Sequence, residues 1–191
     1  PGLGFNSVSA KALAAHQQAQ LPRSYWDWTA VLHMNERGLY PYTPATNLLF
    51  GLDEALTMLD EEGLDQIFAR HRRLAAATRR AVAGWGLAIY CRNPAAYSPT
   101  LTAVLMPDGY DADALRRTIL ERFDMALGTG LGQVQGQLFR IGHLGDFNAL
   151  MLCGTLCGVE MGLRVSGVPH QQGGVQKALE FLAQPQDGTT P

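Results

Sequence analysis

Apolar residues in the first half of this chain recur at helical spacing, and in the second half helical and alternating rhythms are interleaved. Leu48, Leu49, Leu52, Leu56 and Leu59 fall on one helical face, and Thr46 just ahead of them is a candidate N-cap. Gly63 interrupts the pattern. A second helical run follows, with Leu64, Phe68, His71, Leu74 and Val82 near one face, and Gly84 and Gly86 close it. Upstream, Gly4 to Val8 predicts a short strand. Ser9 or Ser7 can cap a helix that starts near Ala10 and is stopped by Pro22. Tyr25-Trp26-Asp27-Trp28 alternates apolar and polar and leads into an extended or irregular stretch. Tyr40-Pro41-Tyr42-Thr43-Pro44 is excluded from helix, because each proline forces its predecessor into extended geometry.

Past Gly86 the pattern predicts strands at Leu87 to Tyr90 and Leu101 to Leu105, with a turn at Pro107-Asp108-Gly109. Asp111 can cap a helix in which Leu115, Ile119 and Phe123 share a face. A glycine-rich stretch from Leu127 to Gly136 joins hairpin strands, and Gln137 to Ile141 is the next strand. Asp146 is a candidate cap for a helix carrying Leu152, Leu156, Val159 and Leu163. The small residues Cys153, Gly154, Cys157 and Gly158 in that helix allow close packing on the sheet. A last helix covers about Val175 to Ala183, and the tail from Pro185 to Pro191 is expected to fray. The sum is an α/β chain with an α+β second part, a small and mainly antiparallel sheet covered by helices. A boundary is placed near Gly63, separating residues 1–62 from 63–191.

Composition narrows the function classes. The 191 residues are 47% hydrophobic and 17% charged, as expected of a globular chain, and the net charge of -2 disfavours a nucleic-acid binder. The uncharged run from Ala149 to Val159 is too short to span a bilayer. No basic leader precedes the opening Pro1-Gly2-Leu3-Gly4-Phe5, and the chain reads as if it starts in the middle of something. Cys91, Cys153 and Cys157 are a sparse, odd set, with Cys153 and Cys157 expected as buried free thiols. They fit a reducing, cytoplasmic compartment.

Arg140 is the most informative candidate. It stands in the apolar, β-prone run Leu138-Phe139-Arg140-Ile141-Gly142, where a guanidinium is costly unless an anion answers it. Its planar fork matches a carboxylate or phosphate. Two readings stand side by side: an anchor for a small substrate's carboxylate, or a structural arginine paired with a nearby Asp or Glu. Tyr40 and Thr43 offer two hydroxyls on a loop stiffened by Pro41 and Pro44, just before a helix. That suits a phosphate ligand; the alternative is a packed tyrosine beside a turn or cap threonine. Gly128-Thr129-Gly130-Leu131-Gly132 lacks the spacing of a dinucleotide loop. Arg70-His71-Arg72-Arg73, with Arg79 and Arg80, follows Glu61, Glu62 and Asp65 and reads as a solvated helix face. His143 either lines the mouth beside Arg140 or sits in a turn. The five histidines show no pair at metal spacing, so no metal is expected.

Four stretches together resemble one family. They are Pro1-Gly2-Leu3-Gly4-Phe5 with Ser9 and Lys11-Ala12-Leu13, Tyr40-Pro41-Tyr42-Thr43-Pro44, Phe139-Arg140-Ile141-Gly142-His143-Leu144-Gly145, and Gly158-Val159-Glu160-Met161. The chain resembles the C-terminal half of class V pyridoxal-phosphate aminotransferases, closest to the serine–glyoxylate and alanine–glyoxylate group. The resemblance implies the cofactor pyridoxal 5'-phosphate. It implies that Arg140 holds the substrate's α-carboxylate, and that Tyr40 and Thr43 bond the cofactor phosphate across a homodimer interface. It implies that residues 1–62 are the tail of the large cofactor domain and residues 63–191 the small domain. The family's cofactor-bonding lysine stands just upstream of the Pro-Gly-Leu segment, and neither Lys11 nor Lys177 matches it. No catalytic residue is therefore expected within the chain, and the segment alone is expected to be inactive. The implied reaction moves an amino group from serine or alanine to glyoxylate or a similar 2-oxo acid. The alternative is a non-catalytic dimerisation or interaction module.

Overall fold

A computed structural model of the chain describes residues 2–185. The tail expected to fray lies, from residue 186 on, outside the described residues. The chain divides into two compact units, Pro1–Glu62 and Gly63–Pro191.

The first unit carries helices α1 (Ala10–Gln18), α2 (Trp28–Asn35) and α3 (Thr46–Glu62). Ser9 caps α1 by accepting from the Ala12 N–H at 3.2 Å. The strand expected over Gly4 to Val8 is not formed: these residues carry no ladder, and no strand is described in this unit to pair with them. Helix α2 replaces the irregular stretch expected after Trp28. Its start is fixed by Asp27, whose carboxylate accepts from the Thr29 N–H at 3.0 Å. Thr46 is the first residue of α3 rather than its cap.

None of the three helices contains a buried residue, so polar links and ring contacts take the place of a core. The His16 ring sits 3.0 Å from Asp27, and Arg23 donates to the His16 and Ala19 carbonyls at 2.8 and 3.1 Å. Burial works to raise the Asp27 pKa, but the Thr29 N–H, His16 and Arg23 together hold it below the usual carboxylate value. The rings of Tyr25 and Tyr42 meet at 5.0 Å with a tilt of 42°, and the Tyr42 hydroxyl lies 2.9 Å from Ser24 Oγ.

The second unit is built on an antiparallel sheet of β1 (Leu101–Leu105), β2 (Gly128–Thr129) and β3 (Leu138–Gly142), with β3 in the middle. Thr102 pairs with Ile141 and Val104 with Phe139. These four are buried and form one face of the sheet, against which helices pack. The expected strand at Leu87 to Tyr90 shrinks to a single bridge, Ile89 to Val104. Gly86 at φ 72° turns the chain just before it, and Pro94 opens a 3-10 turn soon after.

Helices α4 (Leu64–Gly84) and α5 (Ala112–Phe123) pack on that face, and α6 (Ala149–Val165) and α7 (Gly174–Leu182) pack in turn against these helices. Asp111 caps α5 through the Asp113 N–H at 2.8 Å. Asn148, not Asp146, caps α6: its side chain reaches the Met151 N–H at 2.9 Å, whereas Asp146 lies in the preceding bend. In α4 the inward stripe is Ile67, His71, Leu74, Thr78 and Val82, which leaves Leu64 and Phe68 exposed on its flank.

Close packing uses other small residues than expected. A Cβ on Gly158 would stand 2.7 Å from Met125 Cε, and one on Gly162 would collide with Ile119. These glycines let α6 approach α5 and Met125, not the sheet. Cys153 is half-buried and Cys157 exposed, because the buried stripe of α6 is Leu152, Leu156, Val159 and Leu163 on its other side. Gly84 and Gly174 touch where α4 crosses α7; a Cβ on Gly84 would be 2.7 Å from Gly174 Cα.

Helix α7 begins after Gly173, which has no side chain to cap it. Glu160 of α6 supplies the acceptor instead. Its carboxylate takes the Gly173 and Val175 N–H groups at 3.0 Å each and the Trp85 indole N–H at 2.7 Å. Burial pushes the Glu160 pKa up, yet these three donors and nearby His170 hold it below normal.

Candidate active site

Arg140 occupies the middle of β3. Its neighbours Phe139 and Ile141 turn to the helices, so alternation sends Arg140 to the opposite face of the sheet. Its cross-strand partners there are small and uncharged: Ala103 on β1 and Gly128 on β2. Nε of Arg140 is buried and has no hydrogen-bond partner, and among the described residues no carboxylate pairs with the guanidinium. A buried N–H left without an acceptor is worth about 1–3 kcal/mol of destabilisation. The local chemistry therefore asks for an anion.

Edge strand β2 is held beside Arg140 by a polar cluster on α5. Asp113 accepts from the Thr129 hydroxyl and from Arg116, both at 2.8 Å, and Arg116 also donates to the Leu127 carbonyl at 2.7 Å. These bonds, led by that from Thr129, pull the Asp113 pKa down. Gly128 and Thr129 are thus strand residues. Only a three-residue 3-10 turn, Gly132–Val134, follows them and no α-helix N-terminus, which removes any likeness to a nucleotide loop.

His143 does not line a mouth. It is fully buried, with Nδ1 3.0 Å from the Pro99 carbonyl and Nε2 3.0 Å from the Thr102 hydroxyl. A carbonyl can only accept, so Nδ1 carries the proton and Nε2 accepts from Thr102. Burial drives the pKa down to about 4, and the ring is a neutral clasp between β1 and the end of β3.

The basic stretch is not simply solvated. Arg70 donates to the carbonyls of Gly145 and Phe147 at 2.7 and 3.0 Å, and His71 accepts from the Gly145 N–H at 3.2 Å. Arg73 donates to the Leu182 carbonyl at 2.9 Å, and Arg80 lies 4.0 Å over the Phe181 ring. These side chains fasten the loop after β3 and the end of α7 onto α4.

Tyr40 and Thr43 belong to the first unit, on the loop between α2 and α3. Both are exposed, and neither hydroxyl has a hydrogen-bond partner among the described residues. With the residue 2–8 segment, Tyr25 and Trp26 they line an open cleft of about 1040 Å³. Two free hydroxyls just ahead of the start of α3 fit the oxygens of a phosphate. Lys11 and Lys177 are exposed on α1 and α7. Among the described residues no three His, Cys, Asp or Glu side chains gather as metal ligands, and no helix is long and apolar enough to cross a membrane. Sequence reasoning missed Gly128, whose place opposite Arg140 depends on register, and Glu160, whose partners come from two other segments.

No family profile matches the sequence. The serine–glyoxylate aminotransferase of Methylorubrum extorquens is 46% identical over 187 residues, covering 95% of this chain and 46% of that protein. The L-aspartate–glyoxylate aminotransferase of Paracoccus denitrificans is 41% identical over 185 residues, 96% of this chain and 47% of that protein. The crystal structure of ureidoglycine–glyoxylate aminotransferase from Bacillus subtilis superposes with a TM-score of 0.83 at 28% identity, over 92% of this chain and 46% of that one. The chain's homologues include serine–glyoxylate aminotransferases, and its structural neighbours are class V aminotransferases. It spans about half the length of the curated relatives it matches.

Proposed function

We propose that this chain is the C-terminal portion of a pyridoxal-phosphate-dependent aminotransferase that moves an amino group from serine or alanine to glyoxylate or a similar 2-oxo acid. The observation that carries the reading is the buried, unpartnered Nε of Arg140 on a sheet face without a carboxylate. Arg140 donates two parallel hydrogen bonds to the substrate carboxylate and so fixes the amino acid by its unreactive end. Amino donor and oxo-acid product both carry that carboxylate, so one clamp serves both halves of the reaction. Orientation of this kind is a large part of such catalysis. Tyr40 and Thr43 donate to the cofactor phosphate, reaching the partner copy's site in a homodimer. Pyridoxal phosphate, when bound, supplies the electron sink for bonds at the substrate Cα. Residues 1–62 are the tail of the large domain and residues 63–191 the small domain. No catalytic residue is assigned within the chain. The free state of its cysteines supports a cytoplasmic setting.

A second reading, a non-catalytic dimerisation or interaction module, is favoured by one observation. Helices α1 to α3 bury nothing, and Phe50 and Leu56 stand 75% and 54% exposed on α3. The test is conversion of serine and glyoxylate to hydroxypyruvate and glycine by the full-length protein carrying this chain, supplied with pyridoxal phosphate. Turnover with spectroscopic cofactor uptake is expected. A folded, oligomeric full-length protein that takes up no cofactor would favour the module.

A further inference from the structure

The glycines of Gly128-Thr129-Gly130-Leu131-Gly132 answer different demands. Gly132 has φ 57°, which disfavours a side chain. A Cβ on Gly130 would collide with the Val134 carbonyl. Gly128 has neither reason. Its φ is not positive, it is paired in a strand opposite Arg140, and its Cα faces no backbone obstruction. What a Cβ there would meet is the Arg140 side chain itself, at 3.0 Å from Cβ, 3.0 Å from Nε and 3.5 Å from Cζ.

We propose that Gly128 is a positioning residue for the anion clamp: its bare Cα is the surface across which the Arg140 side chain lies, and this sets where the buried Nε–H points. The proposal rests on the reading of Arg140 as the carboxylate clamp. The geometry explains both halves of the observation. Nε is buried because it lies against the β2 backbone, and Gly128 has no side chain to turn it aside or to accept from it. The α5 cluster of Asp113, Arg116 and Thr129 keeps that surface in place, since it ties the edge strand down on both sides of Gly128. A methyl group at this position must displace the guanidinium by a few tenths of an ångström. Misplacement of about 1 Å can lower a rate a hundredfold, so a shift this small is expected to weaken carboxylate binding about tenfold.

The test is a calorimetric titration of the full-length, cofactor-loaded protein with 2-methylserine, which has the carboxylate but no Cα hydrogen to lose. It is done in wild type, Gly128→Ala, Arg140→Ala and the double variant, with thermal unfolding of each. Gly128→Ala is expected to weaken binding about tenfold while the Tm stays level or rises, because alanine suits a strand better than glycine. Gly128→Ala is expected to add nothing once Arg140 is gone. Unchanged binding in Gly128→Ala, alongside a loss in Arg140→Ala, overturns the positioning role alone. A Tm drop with intact binding also overturns it, since the glycine then serves the fold. Unchanged binding in Arg140→Ala overturns the clamp reading beneath it.

Discussion

His143 makes the stability of the second unit depend on pH in a window of its own. Its ring is fully buried, clasped between the Pro99 carbonyl and the Thr102 hydroxyl, and protonation of Nε2 would set a charged donor against that hydroxyl. The pKa falls from 6.5 to about 4, chiefly by burial. Between those values the unfolded chain takes up a proton that the folded chain refuses. Stability is thus full above pH 6.5, declines as pH falls towards 4, and is flat for this group below that. At about 1.4 kcal/mol per unit, the loss is about 3 kcal/mol across the window. The assay is equilibrium urea unfolding from pH 4 to 7.5, comparing wild type with His143→Gln. Glutamine can still donate to Pro99 and accept from Thr102 but does not titrate. Wild type is expected to lose about 3 kcal/mol more than the variant between pH 6.5 and 4. Equal slopes in the two proteins would refute the buried, neutral ring. The paired carboxylates, whose folded pKa values are depressed, act mainly at lower pH.

Other substitutions test other parts of the fold. Glu160→Ala strips the acceptor from two backbone N–H groups at the start of α7 and from the Trp85 indole; at about 1–3 kcal/mol for each group left unsatisfied, with water answering the more exposed ones, a net loss of about 3 kcal/mol is expected in denaturant melts. Glu160→Gln is expected to lose roughly half of that. Exposed Cys157 is expected to react with iodoacetamide well before Cys153, whose thiol pKa burial pushes up; mass spectrometry of timed digests reads the order.

What the sequence could reveal follows the range of the interactions involved. Ser9 and Asp111 act within three residues of themselves, and both caps are readable from neighbours. Strand Leu101–Leu105 was legible because β-branched and apolar residues alternate in depth along it. Helix α2 was hidden by the aromatic alternation around Asp27, which imitates a strand although the aspartate is a cap. Helix α6 is apolar on nearly every side, so periodicity could not say which stripe packs, and Cys157 was misplaced indoors. Glu160 and Gly128 were invisible because their partners come from other segments through tertiary contact. Arg140 stood out as a cation in an apolar run. Whether an internal carboxylate answered it was a question of three-dimensional neighbours, and Ala103 and Gly128 are what the sheet supplies.

The proposed aminotransferase reading rests on Arg140 binding a substrate carboxylate through its unpartnered guanidinium. The most direct measurement compares the binding of L-serine and ethanolamine, which is serine without its carboxylate, to the full-length, cofactor-loaded protein in wild type and Arg140→Ala. A bidentate, charge-assisted contact worth about 3 kcal/mol corresponds to roughly a hundredfold in affinity. Serine is expected to weaken by about that factor in Arg140→Ala, while ethanolamine and pyridoxal phosphate bind as before. Equal weakening of serine and ethanolamine, or undiminished serine binding, would contradict the account.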